Sequence, residues 1–568
     1  MNVSVDLQGK RAVSRSQNKH PRGQRFAATW LRFGLTALAL LAQLVLFVML
    51  IFVGASYMRW VAALGVLVSA LVVAYILNSR MQIEYKLAWS IVILLVPLAG
   101  GVFYLLFGAR SGAGKQMRRY MEIQEDIRRH QVNSPKAITA GPAAVHESWA
   151  EGNKKDAEFP DSKAELEQIK SESSMIPVGP DVDPRARRQL AYFEAAGPFI
   201  GYAGTKTTYY PVGDDAFVQM LEDLEKAKRW IGLEFFIVAE GSMLNELLEV
   251  LERKIAEGVK IFFMYDDFGS MLKVASGFEK RLRKMGIKAQ PINKFGPGLT
   301  LRYNNRDHRK LLVIDGEIGY TGGINIADEY VNRIERFGHW RDTVLRMEGP
   351  GVWGLATLYF SFWDLNTGEV TELDAYKPDR QWDGDEPGAT LAFDDTPFDN
   401  TSTGWAGYRQ LIMRAQNYVD LTTPYLVPSQ EQTDVLVAAA KSGVRIRIFV
   451  PGIPDKKVVY EVTRSNYAPL LEAGIKIFEY SPGFLHAKQM VADDEFAIIG
   501  TINFDFRSFY LHQENAVWMF KTTAIADMAA DFDELERLSK PVTSEEARSV
   551  SVPRRVMRAI LRTFSPMM

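Results

Sequence analysis

The chain has 568 residues, 47% of them apolar, with 67 basic against 68 acidic groups, seven histidines and no cysteine. That length calls for several folded units of ~100–200 residues each. The missing cysteine excludes disulfides, thiolate nucleophiles, cysteine-ligated zinc and iron–sulfur clusters. The net charge of −1 conceals a division, +12 over residues 1–121 and −13 beyond them.

Residues 1–32 form a basic tail. Within 33–108 stand three charge-free apolar runs, Phe33–Met58, Trp60–Asn78 and Leu87–Gly108, of 26, 19 and 22 residues. A bilayer is crossed by ~20 apolar residues as helix, so the pattern predicts an N-terminal bundle of two to three transmembrane helices. A cleaved signal peptide fits poorly, because its apolar region would be only ~7–15 residues and would stand alone. Three spans would put the basic flanks Lys10–Arg32 and Arg110–Arg129 on opposite faces, against the positive-inside rule, so the number of true spans stays open.

Residues 109–195 read as a linker. The stretch 131–185 is rich in Ser, Pro, Ala, Gly and charge, and one short helix is expected at Ala164–Ser171. An α/β pattern fills 196–376, with strands expected at Trp230–Ala239, Val259–Tyr265 and Lys310–Ile314 and helices at Phe217–Arg229 and Leu244–Glu257. A Pro- and Asp-rich interval, 377–400, reads as a second linker. The alternation resumes in 401–568: helix Gln410–Val419, strand Val419–Tyr425, helix Glu431–Lys441 and strand Val444–Val450. The expected fold is therefore two similar α/β halves facing each other.

A repeat binds the two halves. His308-Arg-Lys310-Leu-Leu-Val-Ile-Asp315 precedes Gly322-Gly-Ile-Asn325, and His486-Ala-Lys488-Gln-Met-Val-Ala-Asp493 precedes Gly500-Thr-Ile-Asn503, each pair offset by 178 positions. On a strand, residues two apart share a face, so each half presents an imidazole and an ammonium together. The next strand returns an Asn beside them. Two such halves would ring a pocket with two imidazoles and two ammonium groups, a trap for a phosphate oxyanion. A lone histidine or lysine would ordinarily be a satisfied or solvated side chain, and repetition reverses that weighing for His308, Lys310, His486 and Lys488. For Asp315 and Asp493, turn formation and catalysis weigh equally.

The constellation resembles the duplicated HKD motif of the phospholipase D superfamily. In that family one motif histidine attacks phosphorus to give a phosphohistidine, the other protonates the leaving alcohol, and no metal or other cofactor takes part. The resemblance assigns His308 as nucleophile and His486 as general acid and base, with the reverse allowed by the near-symmetry. A carboxylate downstream of each Asn is expected to orient the imidazoles. Glu514 follows Asn503 by 11 and Asp342 follows Asn325 by 17. Asn325 and Asn503 are expected to contact phosphate, while His339 and His512 match no motif position.

Within the superfamily the chain looks most like the bacterial cardiolipin synthases, by Tyr104-Leu-Leu-Phe-Gly108, Leu233-Glu-Phe-Phe-Ile237, Arg306-Asp-His-Arg-Lys310, Trp340-Arg-Asp342, Pro482-Gly-Phe-Leu-His-Ala-Lys488 and Asn503-Phe-Asp-Phe-Arg-Ser508. It departs in its three apolar runs, its long linker, and Gly500-Thr501 where Gly-Ser is common. The resemblance implies transfer between two phosphatidylglycerol molecules, releasing glycerol, by a multi-pass protein of the bacterial inner membrane whose partners are phosphatidylglycerol and other anionic phospholipids. A phospholipase D hydrolysing the same lipid, or serving another acceptor alcohol, would share every catalytic residue. An HKD nuclease would want a basic body to meet a nucleic acid, and this body is acidic. A catalytically dead scaffold is disfavoured by the intact histidines and lysines. Oligomeric state is not legible.

Overall fold

The computed structural model describes residues 56–79, 81–104, 108, 113–132, 134, 136–139, 176–177, 183–294, 305–382, 384–398 and 401–567. Its centre is a duplicated mixed α/β unit. In the first half seven strands run in the order Lys206–Tyr210, Val344–Glu348, Ile318–Gly322, Lys310–Ile314, Trp230–Phe235, Lys260–Asp266 and Lys288–Ile292. The second half repeats that order with Ala389–Asp395, Glu514–Phe520, Phe496–Gly500, Gln489–Ala492, Tyr418–Thr422, Arg445–Pro451 and Lys476–Tyr480, and adds short strands at both edges to reach 11. The central strands read as near-continuous apolar runs because both faces are covered, and Trp230–Phe235 and Gln489–Ala492 are buried at every residue, whereas the edge strand Lys206–Tyr210 alternates.

The two motif hairpins turn on residues with positive φ. Asp315 and Gly316 adopt 55° and 72°, and Asp493 and Asp494 adopt 56° and 57°. Asp tolerates the left-handed region better than most residues, which accounts for an acidic turn at the same place in both halves.

Helix Val352–Thr367 is buried along all but the last two of its 16 residues and is wedged between the first sheet and the strand Ala389–Asp395. It is apolar all round for that reason. One core extends from the N-terminal helices through the second half to the inner face of the first sheet, and another lies under helices Gly213–Glu225 and Ser242–Ala256.

Both expected linkers are in part body. From the first, helix Ala113–Val132 lies along Val352–Thr367, with Arg119 Nη2 donating to Asp364 O at 2.9 Å and Gln131 Nε2 to Thr357 Oγ1 at 2.6 Å. Pro184–Ala196 is a helix capped by the Asp183 side chain, and strands Ala137–Thr139 and Ile176–Pro177 extend the larger sheet. The helix expected at Ala164–Ser171 lies outside the described residues. From the second linker, Ala389–Asp395 is a fully buried strand pairing with Glu514–Phe520 and Gly201–Ala203. Its Asp pair conceals it in the sequence: Asp394 accepts from Tyr120 OH at 3.0 Å and Asp395 from Gly404 N at 2.9 Å.

The apolar N-terminal runs fare differently. Phe33–Met58 lies almost wholly outside the described residues. Trp60–Asn78 falls in one helix, Ser56–Asn78, whose charge-free part after Arg59 measures about 28 Å, against ~30 Å of hydrocarbon. Leu87–Gly108 is not one rod. Pro97 cannot donate its missing N–H, so the run breaks at Val96 into helices Ile83–Leu95 and Pro97–Phe103, the first of 13 residues. Among the described residues no helix is long and apolar enough to cross a membrane. Leu64, Leu67 and Leu71 of the first helix and Leu94 and Leu95 of the second are exposed nonetheless. The Ile83–Leu95 helix docks on the second half, where Tyr85 stacks on Phe506 at 5.7 Å and Glu84 accepts from Gln430 N at 3.2 Å.

Candidate active site

His308 and Lys310 lead into the strand Lys310–Ile314, and His486 and Lys488 into Gln489–Ala492. Each His–Lys pair stands at the head of its strand, near enough for the lysine's charge to bear on the imidazole. Both histidines are 7% exposed, and Lys310 and Lys488 are 2% and 0% exposed. Each ammonium donates to the carbonyl of its own histidine, Lys310 Nζ to His308 O at 2.6 Å and Lys488 Nζ to His486 O.

The carboxylates cross between the halves. His308 Nδ1 lies 2.9 Å from Glu514 Oε2, and His486 Nδ1 lies 2.6 Å from Asp342 Oδ2. The backbone is crossed in the same sense. His308 N donates to Gln513 O at 2.9 Å, His486 N donates to Arg341 O at 2.7 Å, and His339–Arg341 pairs in parallel with Gly483–Leu485. Each histidine is thus held by the other half. With Nδ1–H given to a carboxylate, Nε2 carries the lone pair that can attack or accept a proton.

The two carboxylates are supported differently. Thr501 Oγ1 donates to Glu514 Oε2 at 2.5 Å and accepts from Asn515 N at 3.0 Å. The matching position in the first half is Gly323, where a Cβ would fall 1.9 Å from Asp342 Oδ1. Only glycine lets Asp342 approach, and its Oδ1 accepts from Thr343 N at 3.0 Å. The Gly-Gly and Gly-Thr of the two motifs therefore answer to the carboxylates they support.

Electrostatics keeps both imidazoles neutral. Burial, then the charges of Lys310, His512, Lys488 and His486, holds His308 well below the usual histidine range. Burial and Lys488 lower His486 to about 4, while Asp342 opposes the fall. Burial also lowers Lys310 to about 8 and Lys488 to about 7, and raises Glu514 to about 8. A phosphate monoanion entering here would restore positive charge to the lysines and raise the pKa of His486 toward the ordinary histidine range, so that this imidazole can take up the proton an acid needs.

The other expected residues divide. Asp315 lies at the far end of its strand and accepts from the backbone N of Lys228, Arg229 and Trp230, each at 2.8 Å. Asp493 does the same for Gln416, Asn417 and Tyr418 at 2.7, 2.7 and 3.0 Å. Both anchor a loop to a hairpin turn, away from the imidazoles, with no lone pair aimed at them. Asn325 accepts from Ile237 N and donates to Tyr330 OH, both at 2.8 Å, so its amide is committed to holding the loop. Asn503 lies beside Asp505, with its Oδ1 unpartnered among the described residues. His339 meets Tyr480 OH at 3.0 Å, outside the site.

His512, matching no motif position, is in the site. Its ring lies 5.6 Å from that of His308, its Nε2 accepts from Arg507 Nε at 3.3 Å, and its Nδ1 faces Glu514 at 3.5 Å. Its counterpart 178 positions earlier is Ile334, so the repeat gives no signal for it. His308, His512 and Glu514 each bring one possible metal-ligand atom within 4.8 Å of the others. Two buried ammonium groups bear on the same imidazoles, which makes the pocket a host for an anion rather than a cation. Asn515 was not legible either: its Nδ2 reaches Thr321 Oγ1 across the halves at 2.8 Å, directly behind Lys310.

Known proteins resemble this chain along most of its length. Residues 408–536 match the family model described as cardiolipin synthase, PLD-like domain, and 65–108 match the one described as phospholipase D-nuclease N-terminal. A cardiolipin synthase of Geobacillus sp. (strain WCH70) is 31% identical over 514 residues, 90% of this chain and 95% of its own length. A cardiolipin synthase 2 of Bacillus cereus is 34% identical over 366 residues, 64% of this chain and 71% of that protein. Among solved structures, a phosphatidylserine synthase of Haemophilus influenzae Rd KW20 covers 64% of this chain and 93% of its own at a TM-score of 0.48 and 13% identity. Identity at that level along nearly the whole length, on top of the paired HKD motifs, means that the chain belongs to the bacterial cardiolipin synthases of the phospholipase D superfamily.

Proposed function

We propose that the site moves a phosphatidyl group from one phosphatidylglycerol to the terminal hydroxyl of a second, giving cardiolipin and glycerol. The observation that carries this reading is the crossed pair of His–carboxylate contacts around two buried lysines. Neutral His308 attacks phosphorus through Nε2, the bond from phosphorus to glycerol oxygen breaks, and that oxygen takes a proton from His486. In the second step the incoming hydroxyl gives its proton to His486, its oxygen attacks phosphorus, and the P–N bond breaks to restore His308. His486 suits the acid role because Asp342 supports its protonated form, whereas burial and the charges of Lys310, His512, Lys488 and His486 all oppose a proton on His308. Lys310 and Lys488 face the non-bridging oxygens, where removal of one preorganised donor costs ~10²–10³ in rate.

The same reading puts residues 33–108 in the bacterial inner membrane as its anchor. It is supported by the three apolar runs and by the exposed aliphatic side chains of helices Ser56–Asn78 and Ile83–Leu95. Phosphatidylglycerol supplied alone to the purified enzyme should yield cardiolipin and glycerol, with His308→Ala and His486→Ala each losing at least 10³ of that rate. An acid-labile phosphate adduct should be found on His308 when the intact enzyme is quenched during turnover. Phosphatidic acid as the sole product would replace the transferase reading with a hydrolase, and an adduct mapped to His486 would exchange the two roles.

A further inference from the structure

Helix Val552–Thr563 is built the wrong way out for a body bathed in water. Two of its four arginines meet the protein: Arg558 is buried, and Arg558 Nε and the more exposed Arg554 Nε reach Glu461 Oε2 at 2.8 and 3.0 Å. Its apolar arc is turned outward. Val552, Val556, Met557 and Ile560 are 68%, 55%, 41% and 55% exposed, at the spacing that makes one face of a helix. A soluble amphipathic helix does the reverse. Arg555 and Arg562 stand at the edge of the apolar arc, exposed, with no acidic partner among the described residues.

This face does not stand alone. The helix and the turn Ser565–Met567 that follows it pack against helix Ile83–Leu95, whose Ile83, Leu87, Leu94 and Leu95 are exposed. On its other side it packs against helix Lys457–Ser465, where Val458 is exposed. Lys456, the residue before that helix, is close enough to His512 for its charge to bear on that ring. The apolar face therefore runs from the N-terminal helices to the neighbourhood of the pocket.

We infer that helix Val552–Thr563 lies flat in the interface of a bilayer rich in anionic phospholipid. Its apolar arc enters the acyl boundary, Arg555 and Arg562 meet lipid phosphates, and the pocket is held against the surface from which its substrate comes. The inference rests on the reading of the substrate as a membrane lipid, and not on the transfer chemistry.

The chain has no cysteine, so single labels can be placed in the full protein without background. Ile560→Cys and, as control, Glu252→Cys on the outer helix Ser242–Ala256 are labelled with an environment-sensitive fluorophore. Each is reconstituted in phosphatidylglycerol–phosphatidylethanolamine vesicles. The label at 560 should be quenched by lipids carrying a shallow quencher and at least fivefold less by aqueous iodide than the label at 252. Equal iodide quenching at both sites would overturn the inference. So would protection at 560 that persists in lipid-free detergent and grows with protein concentration, because the occupant would then be a second copy of the chain. A second variant, Val556→Glu with Ile560→Glu, should raise the KM for vesicle-borne substrate about tenfold or more and leave turnover of short-chain, detergent-dispersed phosphatidylglycerol within twofold. Because the quenching needs no turnover, membrane contact without cardiolipin formation would fault the proposed reaction and spare this inference.

Discussion

At the scale of single residues, the proposed phosphate-binding role of the two lysines carries a pH dependence. Burial depresses both ammonium groups, Lys488 to about 7 and Lys310 to about 8, so a rise in pH through this range strips positive charge from the free pocket. An anionic phosphate then binds less well. The expected result is an alkaline fall in kcat/KM with apparent pKa values near 7 and 8, while kcat falls at higher pH because bound phosphate holds both protons. Lys488→Arg keeps its charge throughout and should remove the lower step, moving the fall up by about one pH unit toward the Lys310 value. A profile unchanged in Lys488→Arg would detach that lysine from phosphate binding. At this scale the sequence was most informative where duplication supplied an internal control: His308, Lys310, His486 and Lys488 share one 178-residue offset. Duplication fails for the carboxylates. Glu514 and Asp342 stand at different distances from their Asn residues, and each serves the other half's histidine. His512 has no repeat partner at all.

Between elements, the positioning of His308 depends on a buried charge cluster that joins five of them. Arg309 is 1% exposed and reaches Glu234 Oε1 at 2.6 Å, Asp307 Oδ1 at 3.7 Å and Asp394 Oδ2 at 3.8 Å, with Phe362 4.0 Å beneath its guanidinium. Those groups come from the strand Trp230–Phe235, the approach to Lys310–Ile314, helix Val352–Thr367 and strand Ala389–Asp395. Tyr120 of helix Ala113–Val132 completes it on Asp394. Burial raises the pKa of Glu234, Asp307 and Asp394, and the neighbouring Glu234 pushes Asp307 up further, while the charge of Arg309 pulls all three back down. Removing one partner from such a cluster costs ~3–5 kcal/mol because it leaves buried charge uncompensated. Arg309→Met should therefore lower the melting temperature by several degrees and slow transfer through displacement of the neighbouring His308. Tyr120→Phe, which removes one hydrogen bond, should cost about 1–3 kcal/mol. A melting temperature unchanged in Arg309→Met would mean that the acids simply take up protons. In the sequence the cluster looks like scattered charge. Asp394 sits in a stretch that composition marks as linker, and only the fold shows that its charge is what lets a strand carrying Asp lie in the core.

For the whole molecule, the crossing of the two halves decides how many chains make one site. Strand order, hairpin turns and motif positions repeat, which is why two α/β halves were legible from the sequence, as was the basic front end on an acidic body. Their mutual dependence was not, because it resides in contacts between residues about 144 and 206 positions apart. Neither half holds a complete site: without Asp342 the second half cannot orient His486, and without Glu514 the first cannot orient His308. Within one chain these contacts are made by backbone ladders, His308 N to Gln513 O and His486 N to Arg341 O, which fix both pairs at once. The site is therefore contained in a single chain, whatever the oligomeric state. Full-length His308→Ala and His486→Ala variants mixed as folded proteins should show no more cardiolipin formation than the sum of the two alone. Exchange of halves between chains would have to break the shared core between the sheets, which includes Leu345, Val352 and Phe393, all 0% exposed. Recovery of about a quarter of wild-type turnover on mixing, the share expected from random pairing of halves, would show that the halves trade partners between chains and that the crossed contacts form an interface between subunits.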